Sequence, residues 1–557
     1  LVDLPGTYDI DAGSPDELVT TTALGGSSHP TLTVAMLDAT ALGRSLYLCA
    51  RASASAGPMI AALTFTDVAA SRGVCVDIAQ LEKSLGMPVV TVNPRTGHGT
   101  DLLADAVWAA LSAPPPPPAI PSDCVGAIDW ADASSQAAAP AHAQSPRTLT
   151  DRVDSWLLRP WVGGPIFVAV LWALFQLTTV AAAPLMDAVD SLWTRPVSSA
   201  AAWLIPGDGW WQDLVVTGIM PGVGMTLTFV PLMALMFVVL ALLEDSGYMA
   251  RAAFIADRAM RAIGLDGNSI IPLVVGYGCN VPAIAALKAI PHAGQRLATA
   301  LLIPFTSCTA RLPVYILLSA AFFPEHAGTA VFAMYAASAV LIIVGSLAIR
   351  ALSRSHTRSD PTVVVLPPYQ RPQLRGIATA AWSRVSAFIR RAGTVIVAAL
   401  AGLWLLAAIP VGTATWGNVP LESSLYGRAA DSVAPVFAPA GFDDWRVVSA
   451  LGAGFVAKEI VVASIAQSYA LDEPANPGDA PDLWASLRTT FDESSGGHPG
   501  AAAAAFMIFI LAYTPCVATM GELRRQFGLR WMAGSMGLSL SVAYVAAVTV
   551  FQVGSRL

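Results

Sequence analysis

From Asp151 onward the chain returns repeatedly to apolar runs long enough to cross a bilayer, which takes about 20 such residues as a helix. Nine candidates stand out, at 162–186, 214–243, 267–287, 297–322, 327–349, 392–411, 447–466, 499–521 and 531–554. The whole chain of 557 residues is only 12% charged and has a mean hydropathy of +0.59. Soluble domains are roughly 25% charged, so the sequence predicts an α-helical polytopic membrane protein. A net charge of −7 offers no basic surface for nucleic acid.

Some of these runs are interrupted where a helix should be smoothest. The uncharged stretch 267–287 contains "GYGCNVPAI", with Gly276, Gly278, Cys279, Asn280 and Pro282 at its centre. Loop charges bear on this. The segment before Asp213 is acidic and reads as external, whereas Arg251, Arg258, Arg261 and the Arg-rich stretch 350–391 read as cytoplasmic. Both basic segments fall on one side only if 267–287 enters and returns. The same logic applies to 447–466, and it puts the basic "ELRRQFGLR" (522–530) inside as a loop. Irregular backbone at membrane depth is tolerated only inside protein or along a cavity.

A weak internal repeat accompanies the breaks. "SGYMARAAFIA" (246–256) resembles "AGFVAKEIVVA" (453–463), and "GYGCNVPAIAALK" resembles "AYTPCVATMGELR" (512–524). Paired, Gly/Pro-interrupted segments point to a transporter's midplane site. Chance similarity in Ala/Val-rich sequence is the competing explanation.

Broken helices free carbonyls and leave half-helix termini that can face an ion. Around the first break lie Gly278, Cys279, Asn280 and Pro282; a second, "PFTSCTARLPVY", carries Ser307, Cys308, Thr309 and Arg311. A third, "YTPCVATM", carries Cys516 and Met520. Sulfur donors favour soft or borderline transition metals over Mg²⁺ or Ca²⁺. A single membrane cysteine is more often a small packing residue, but three at proline-marked breaks point to a pathway. Glu244 closes one span, and Lys458 and Glu459 adjoin within another, as an ion pair between helices or as a relay. No histidine lies in the uncharged runs, which disfavours an all-imidazole site. The six cysteines form no C-x-x-C pair, so neither disulfides nor structural zinc are expected.

Residues 1–112 alternate strand-like runs ("TLTVAMLDA", "PMIAALTFTD", "MPVVTVN") with amphipathic helix, a parallel α/β pattern. Residues 113–150 are Pro/Ala-rich and read as an unpacked linker before a permease domain at 151–557. "DLPG" at the start fits the D-x-x-G element of GTPases, in which Asp3 would hold Mg²⁺ through water and the Gly6 amide would meet the γ-phosphate.

Together "DLPGTY", "LEDSGYMARAAFIADR", "GYGCNVPAI", "SCTARLPVY", "LPPYQRP", "RAGTVI", "AKEIVV" and "YTPCVAT" closely resemble the FeoB-type ferrous iron transporter family over nearly the whole chain. The resemblance implies a P-loop-GTPase-like (TrmE/Era/Ras-like) G domain, partial here. Two Gate-type repeats would follow, at about 214–330 and 388–525. It implies import of Fe²⁺ as substrate across the bacterial cytoplasmic membrane, GTP/GDP with Mg²⁺ in the G domain, and Cys279, Cys308 and Cys516 on the iron path. Small FeoA/FeoC-type proteins are implied partners, and a homo-oligomer is compatible with it.

The departures lie in the G domain. The P-loop and first switch are expected upstream of Leu1, so the chain as given is expected not to bind GTP tightly. Of the guanine-reading N-x-x-D, "TFTD" keeps Asp67 but has Thr64 for Asn; the later element is "NPRTG", with Asn93 and Pro94. Thr7 stands where Ras-like enzymes place a water-orienting Gln, which predicts slow hydrolysis. The expected mechanism hands Fe²⁺ along the three cysteines and neighbouring broken-helix carbonyls. Two other readings stay open: a GTP-responsive signalling or assembly protein without transport, and a nucleoside-type carrier.

Overall fold

The computed structural model describes residues 2–4, 15–25, 30–71, 73–116, 120–121, 123–139, 149–194, 210–290, 292–352, 369, 372–411, 419–471, 473–474 and 476–556. Gly6 and Thr7 lie outside them. The chain divides into two units, residues 1–156 and 157–557.

In the first unit, β1 (Thr33–Asp38), β2 (Met59–Thr64) and β3 (Val89–Thr91) form a parallel sheet in that order, with Thr33 opposite Met59 and Ala61 opposite Val89. Every residue of β2 is buried, as expected of a central strand with an unbroken apolar run. Helices α1 (Leu42–Ser53) and α2 (Ile78–Leu85) carry the crossovers and bury Leu46, Cys49, Leu81 and Leu85 against the sheet. Asp77 caps α2 by accepting the Gln80 N–H at 3.1 Å.

The unpacked linker expected from 113 to 150 is not what forms. Cys124–Ala138 is a helix, α3, and it is docked rather than free. Asp123 accepts the Gly126 N–H at 2.9 Å, Ala127, Ala131 and Ala138 are buried, and the Ala138 carbonyl accepts the Asp77 N–H at 2.7 Å. Alanine is the strongest helix former, and a small-residue face lets α3 lie close on α1, where Gly43 faces Ser135.

In the second unit five helices among the described residues are long and apolar enough to cross a membrane: Leu214–Asp245, Ala293–Phe322, Pro324–Leu352, Leu374–Ala408 and Pro499–Gly554. The first and fourth pack antiparallel, with Gly218 against Trp404, Gly222 against Val397 and Thr226 against Gly393. Each contains a π-helical turn, at Leu214–Ile219 and Ile389–Gly393. Basic "ELRRQFGLR" is mostly helix rather than loop: one helix runs from Val517 to residue 527, and Gly528 (φ 84°, ψ 172°), a conformation that suits glycine, separates it from a second that runs to Gly554.

Four helices are broken. Ile270–Gly278 and Asn280–Ala286 are separated by one extended residue, Cys279 (φ −152°, ψ 135°). Trp445–Val456 ends at Ala457 with nearly the same geometry (φ −150°, ψ 133°), before Ile460–Ser468. None of these four pieces exceeds 12 residues, so at about 1.5 Å per residue none spans a bilayer alone. The other two breaks re-enter helix through an extended Cys308 (φ −68°, ψ 159°) and Cys516 (φ −59°, ψ 156°).

These dihedrals revise the internal repeat. Cys279 corresponds to Ala457, so "GYGCN" matches "GFVAK"; Cys308 corresponds to Cys516, so "FTSCTA" matches "YTPCVA". The pairing of Cys279 with Cys516 suggested by their similar surroundings is therefore wrong. Two glycines hold the same place in this scheme. A Cβ on Gly276 would collide with Thr306, and one on Gly454 with Tyr513 and Val461, so each lets its repeat's two breaks touch.

Candidate functional site: a thiol-lined cavity where four breaks meet

All four breaks open onto one cavity of about 80 Å³. The first contributes Gly278, Cys279, Asn280 and Val281; the second contributes Cys308, Thr309 and Arg311. Ala457, Lys458 and Glu459 come from the third, and Pro515, Cys516 and Ala518 from the fourth. Thus the three predicted cysteines share one enclosure, with Gly278, Asn280, Thr309 and Glu459 around them. All six cysteines of the chain are free thiols.

The other predicted residues lie elsewhere. Pro282 and Glu244 line a larger vestibule of about 680 Å³, which shares Val281, Phe388 and Ala518 with the cavity. Glu244 there pairs with Arg384 at 3.1 Å, and Glu522 accepts the Arg525 Nε–H at 2.9 Å. Ser307 is buried away from the cavity: its N–H donates to Ser338 Oγ at 3.2 Å and its hydroxyl to Tyr315 at 3.2 Å. Met520 is buried in the apolar core. Met233 lines the cavity instead, and sequence pattern gave no sign of it because its helix is unbroken there.

Most of the polar groups at or beside the cavity are already paired, the buried Arg311 Nε being an exception. Thr306 donates its hydroxyl to Asn280 Oδ1 at 2.9 Å, and Thr309 donates to the Gly278 carbonyl at 3.1 Å. Arg311, fully buried, donates to the carbonyls of Thr306 at 2.6 Å and Pro304 at 3.1 Å. Lys458, 2% exposed, donates to the Thr514 carbonyl at 2.7 Å and sits 3.0 Å from the Tyr513 ring centroid. The expectation that freed carbonyls stand open to an ion therefore fails at these four, which two cations and a hydroxyl occupy. Charge-assisted bonds of this kind contribute about 1.5–3 kcal/mol each, which offsets a burial cost of about 2.5–3.5 kcal/mol per cation at mid-membrane. Among the described residues no three His, Cys, Asp or Glu side chains are placed to hold one metal ion together.

In the G domain Asp67 is exposed at the C-terminal end of β2, where α/β sheets bind ligands. One of its oxygens accepts from Asn93 Nδ2 at 3.3 Å, so the two elements expected at a guanine site do meet. Thr64 does not substitute for the missing Asn, because its hydroxyl turns inward to the Leu37 carbonyl at 2.9 Å. Phe65, between them, is 43% exposed with φ 56°, a strained conformation that no sequence signal marks. Asp3 is exposed, and Leu4 beside it packs on the sheet's core.

Comparison with known proteins agrees with this layout. The family model for ferrous iron transport protein B matches residues 1–107, and the model for its C terminus matches 331–384. The Gate model, described as nucleoside recognition, matches 226–322 and 389–530. The Fe(2+) transporter FeoB of Staphylococcus aureus (strain COL) is 31% identical over 636 residues, spanning 100% of this chain and 92% of that protein. A Fe(2+) transport protein A/Fe(2+) transporter FeoB fusion protein of Porphyromonas gingivalis is 29% identical over 670 residues, spanning 100% and 79%. Among solved structures, the FeoB G-domain from Methanococcus jannaschii has 36% identity over 20% of this chain and 69% of that one, with a TM-score of 0.19. The chain is a multi-pass membrane protein and belongs to the FeoB family of ferrous iron transporters.

Proposed function

We propose that this chain imports Fe²⁺ across the bacterial cytoplasmic membrane through the cavity where the four breaks meet. The observation that carries this is the convergence of Cys279, Cys308 and Cys516, from three separate breaks, on one enclosure with Glu459 and Met233. Thiol and thioether donors select a borderline cation such as Fe²⁺ over the harder Mg²⁺ and Ca²⁺. No three of these groups form a finished coordination shell, which suits a path better than a storage site because an ion must also leave. Asn280, Thr309 and Gly278 shape the wall, and the ion passes on to the vestibule that Pro282 and Glu244 line.

The two Gate repeats at about 214–330 and 388–525 provide the moving parts, and the G domain at 1–112 regulates them. GTP or GDP with Mg²⁺ supplies the regulatory signal when bound, and Asp67, which accepts from Asn93 Nδ2, would read the guanine edge. A small FeoA-type protein is the partner that the fused relative suggests.

Proteoliposomes with correctly inserted protein, supplied with Fe²⁺ under anaerobic conditions, test the reading. Uptake above empty vesicles is expected, with little uptake of Mg²⁺; no uptake refutes transport and leaves a signalling role. A nucleoside carrier is the alternative that the Gate description raises. The 80 Å³ cavity is too small for a nucleoside, whereas the 680 Å³ vestibule falls within the range of about 300–1,000 Å³ for ligand pockets, so uptake itself separates the two readings. Labelled nucleoside entering the same vesicles would favour the carrier.

A further inference from the structure

The two repeats place a cation on equivalent backbone carbonyls, but they do so from opposite directions. Thr306 and Thr514 hold the same place in "FTSC" and "YTPC". In the first repeat the Thr306 carbonyl is taken from downstream, by Arg311 at 2.6 Å, whose equivalent in the second repeat is Thr519. In the second repeat the Thr514 carbonyl is taken from the other break, by Lys458 at 2.7 Å, whose equivalent in the first is the neutral Asn280.

The two holds are unlike in strength. Arg311 bridges two carbonyls through a rigid fork, a geometry set by its planar guanidinium. Lys458 makes one hydrogen bond and one ring contact, on a flexible four-carbon stem. Both face the same cavity as the three thiols and Glu459. Unwound carbonyls are where a broken-helix transporter coordinates a cation, and like-charge repulsion keeps a divalent ion off the Thr514 carbonyl while the ammonium group sits there.

We propose that Lys458 is a tethered cation that occupies an ion seat at the Thr514 carbonyl and must swing off it before Fe²⁺ can coordinate there. Arg311 is the permanent counterpart that fixes the first repeat's break. Lys458 is thus a positioning residue that sets how strongly an ion must bind to enter, and it screens the seat against weakly bound monovalent cations. The proposal rests on the transport reading above.

The test measures Fe²⁺ binding to the full chain in detergent by anaerobic calorimetry, alongside vesicle uptake. Lys458→Asn copies the first repeat and is expected to bind Fe²⁺ at least threefold more tightly, with a lower KM for uptake and a changed kcat. Lys458→Arg is expected to bind at least threefold more weakly. Tyr513→Leu keeps the lysine but removes the ring beneath it, and is expected to tighten binding even where Lys458→Asn does not fold. Affinity within twofold of wild type in whichever neutralising or ring variant is recovered overturns the proposal. A merely structural lysine would lower kcat and stability without moving the affinity. Absence of uptake by the wild type overturns the transport reading alone, because the binding shift is read independently of it.

Discussion

Cys308 and Cys516, 208 positions apart, lead into the next helical segment with nearly the same backbone angles, −68°/159° and −59°/156°, at matching places in two aromatic-Thr-x-Cys-x-Ala segments. A residue separation that large with one local geometry is the mark of a duplicated structural unit. Cys279 has no sulfur counterpart, because its place in the second repeat is Ala457. The cavity's three thiols are therefore a symmetric pair plus one.

The glycines that precede the single-residue breaks offer a direct test of that symmetry. Gly276→Ala drives a methyl into Thr306, and Gly454→Ala drives one into Tyr513 and Val461. Overpacking of this kind costs about 1–3 kcal/mol. Both variants are expected to lower the detergent melting temperature by similar amounts, whereas Gly521→Ala, which meets nothing within 4 Å, is expected to be neutral. A shift in only one repeat would argue against equivalent roles.

Much of this site is legible because Gly276, Gly278, Cys279, Asn280 and Pro282 crowd together at the middle of one uncharged membrane run. What the letters misled about was partnership. Cys279 is followed within three residues by Val281-Pro282 and Cys516 directly by Val517-Ala518, a local likeness that hides the shared aromatic-Thr frame linking Cys308 to Cys516. The occupied carbonyls were out of reach for another reason: which acceptor a long cation finds depends on segments 56 residues away, as with Lys458 and Thr514. Helix Cys124–Ala138 was missed because proline-rich flanking sequence coloured the reading of an alanine-rich, Asp-capped segment.

Arg311 should be the least replaceable residue of the cavity. Arg311→Met leaves the Thr306 and Pro304 carbonyls without their donor in a fully buried place. Each buried carbonyl left without a donor costs about 1–3 kcal/mol, so poor expression or early thermal unfolding is expected. A variant as stable as wild type would show that the second break holds without its guanidinium.

The G domain carries a pH prediction. Burial pushes the Cys49 thiol up to about 12 from an ordinary value of 9.0. A raised folded pKa means the contribution to stability is whole below pH 9 and is lost as pH rises toward 12, since the unfolded chain releases the proton first. Thiol reagents at pH 8 should label exposed Cys75 and Cys124 while sparing Cys49 until denaturant is added. Denaturation midpoints read by Cys49 labelling should fall between pH 9 and 11; rapid labelling of Cys49 in the folded protein would contradict its burial.

The cavity thiols give the test closest to function. Serine for cysteine exchanges a soft donor for a hard one at almost constant volume, so Cys279→Ser, Cys308→Ser and Cys516→Ser should fold normally. Each is expected to reduce Fe²⁺ uptake by about tenfold or more, equivalent to at least ~1.4 kcal/mol of lost ion stabilisation. Cys516→Ser should be the mildest, since its Sγ already shares a 3.2 Å contact with the Thr519 hydroxyl and a serine there keeps that partner. Met520→Leu is the matched control: it removes a sulfur that lies in the core rather than the cavity, and uptake should stay within twofold. Equal losses at Met520 and at the cysteines would mean that packing, and not sulfur in the path, is what uptake requires.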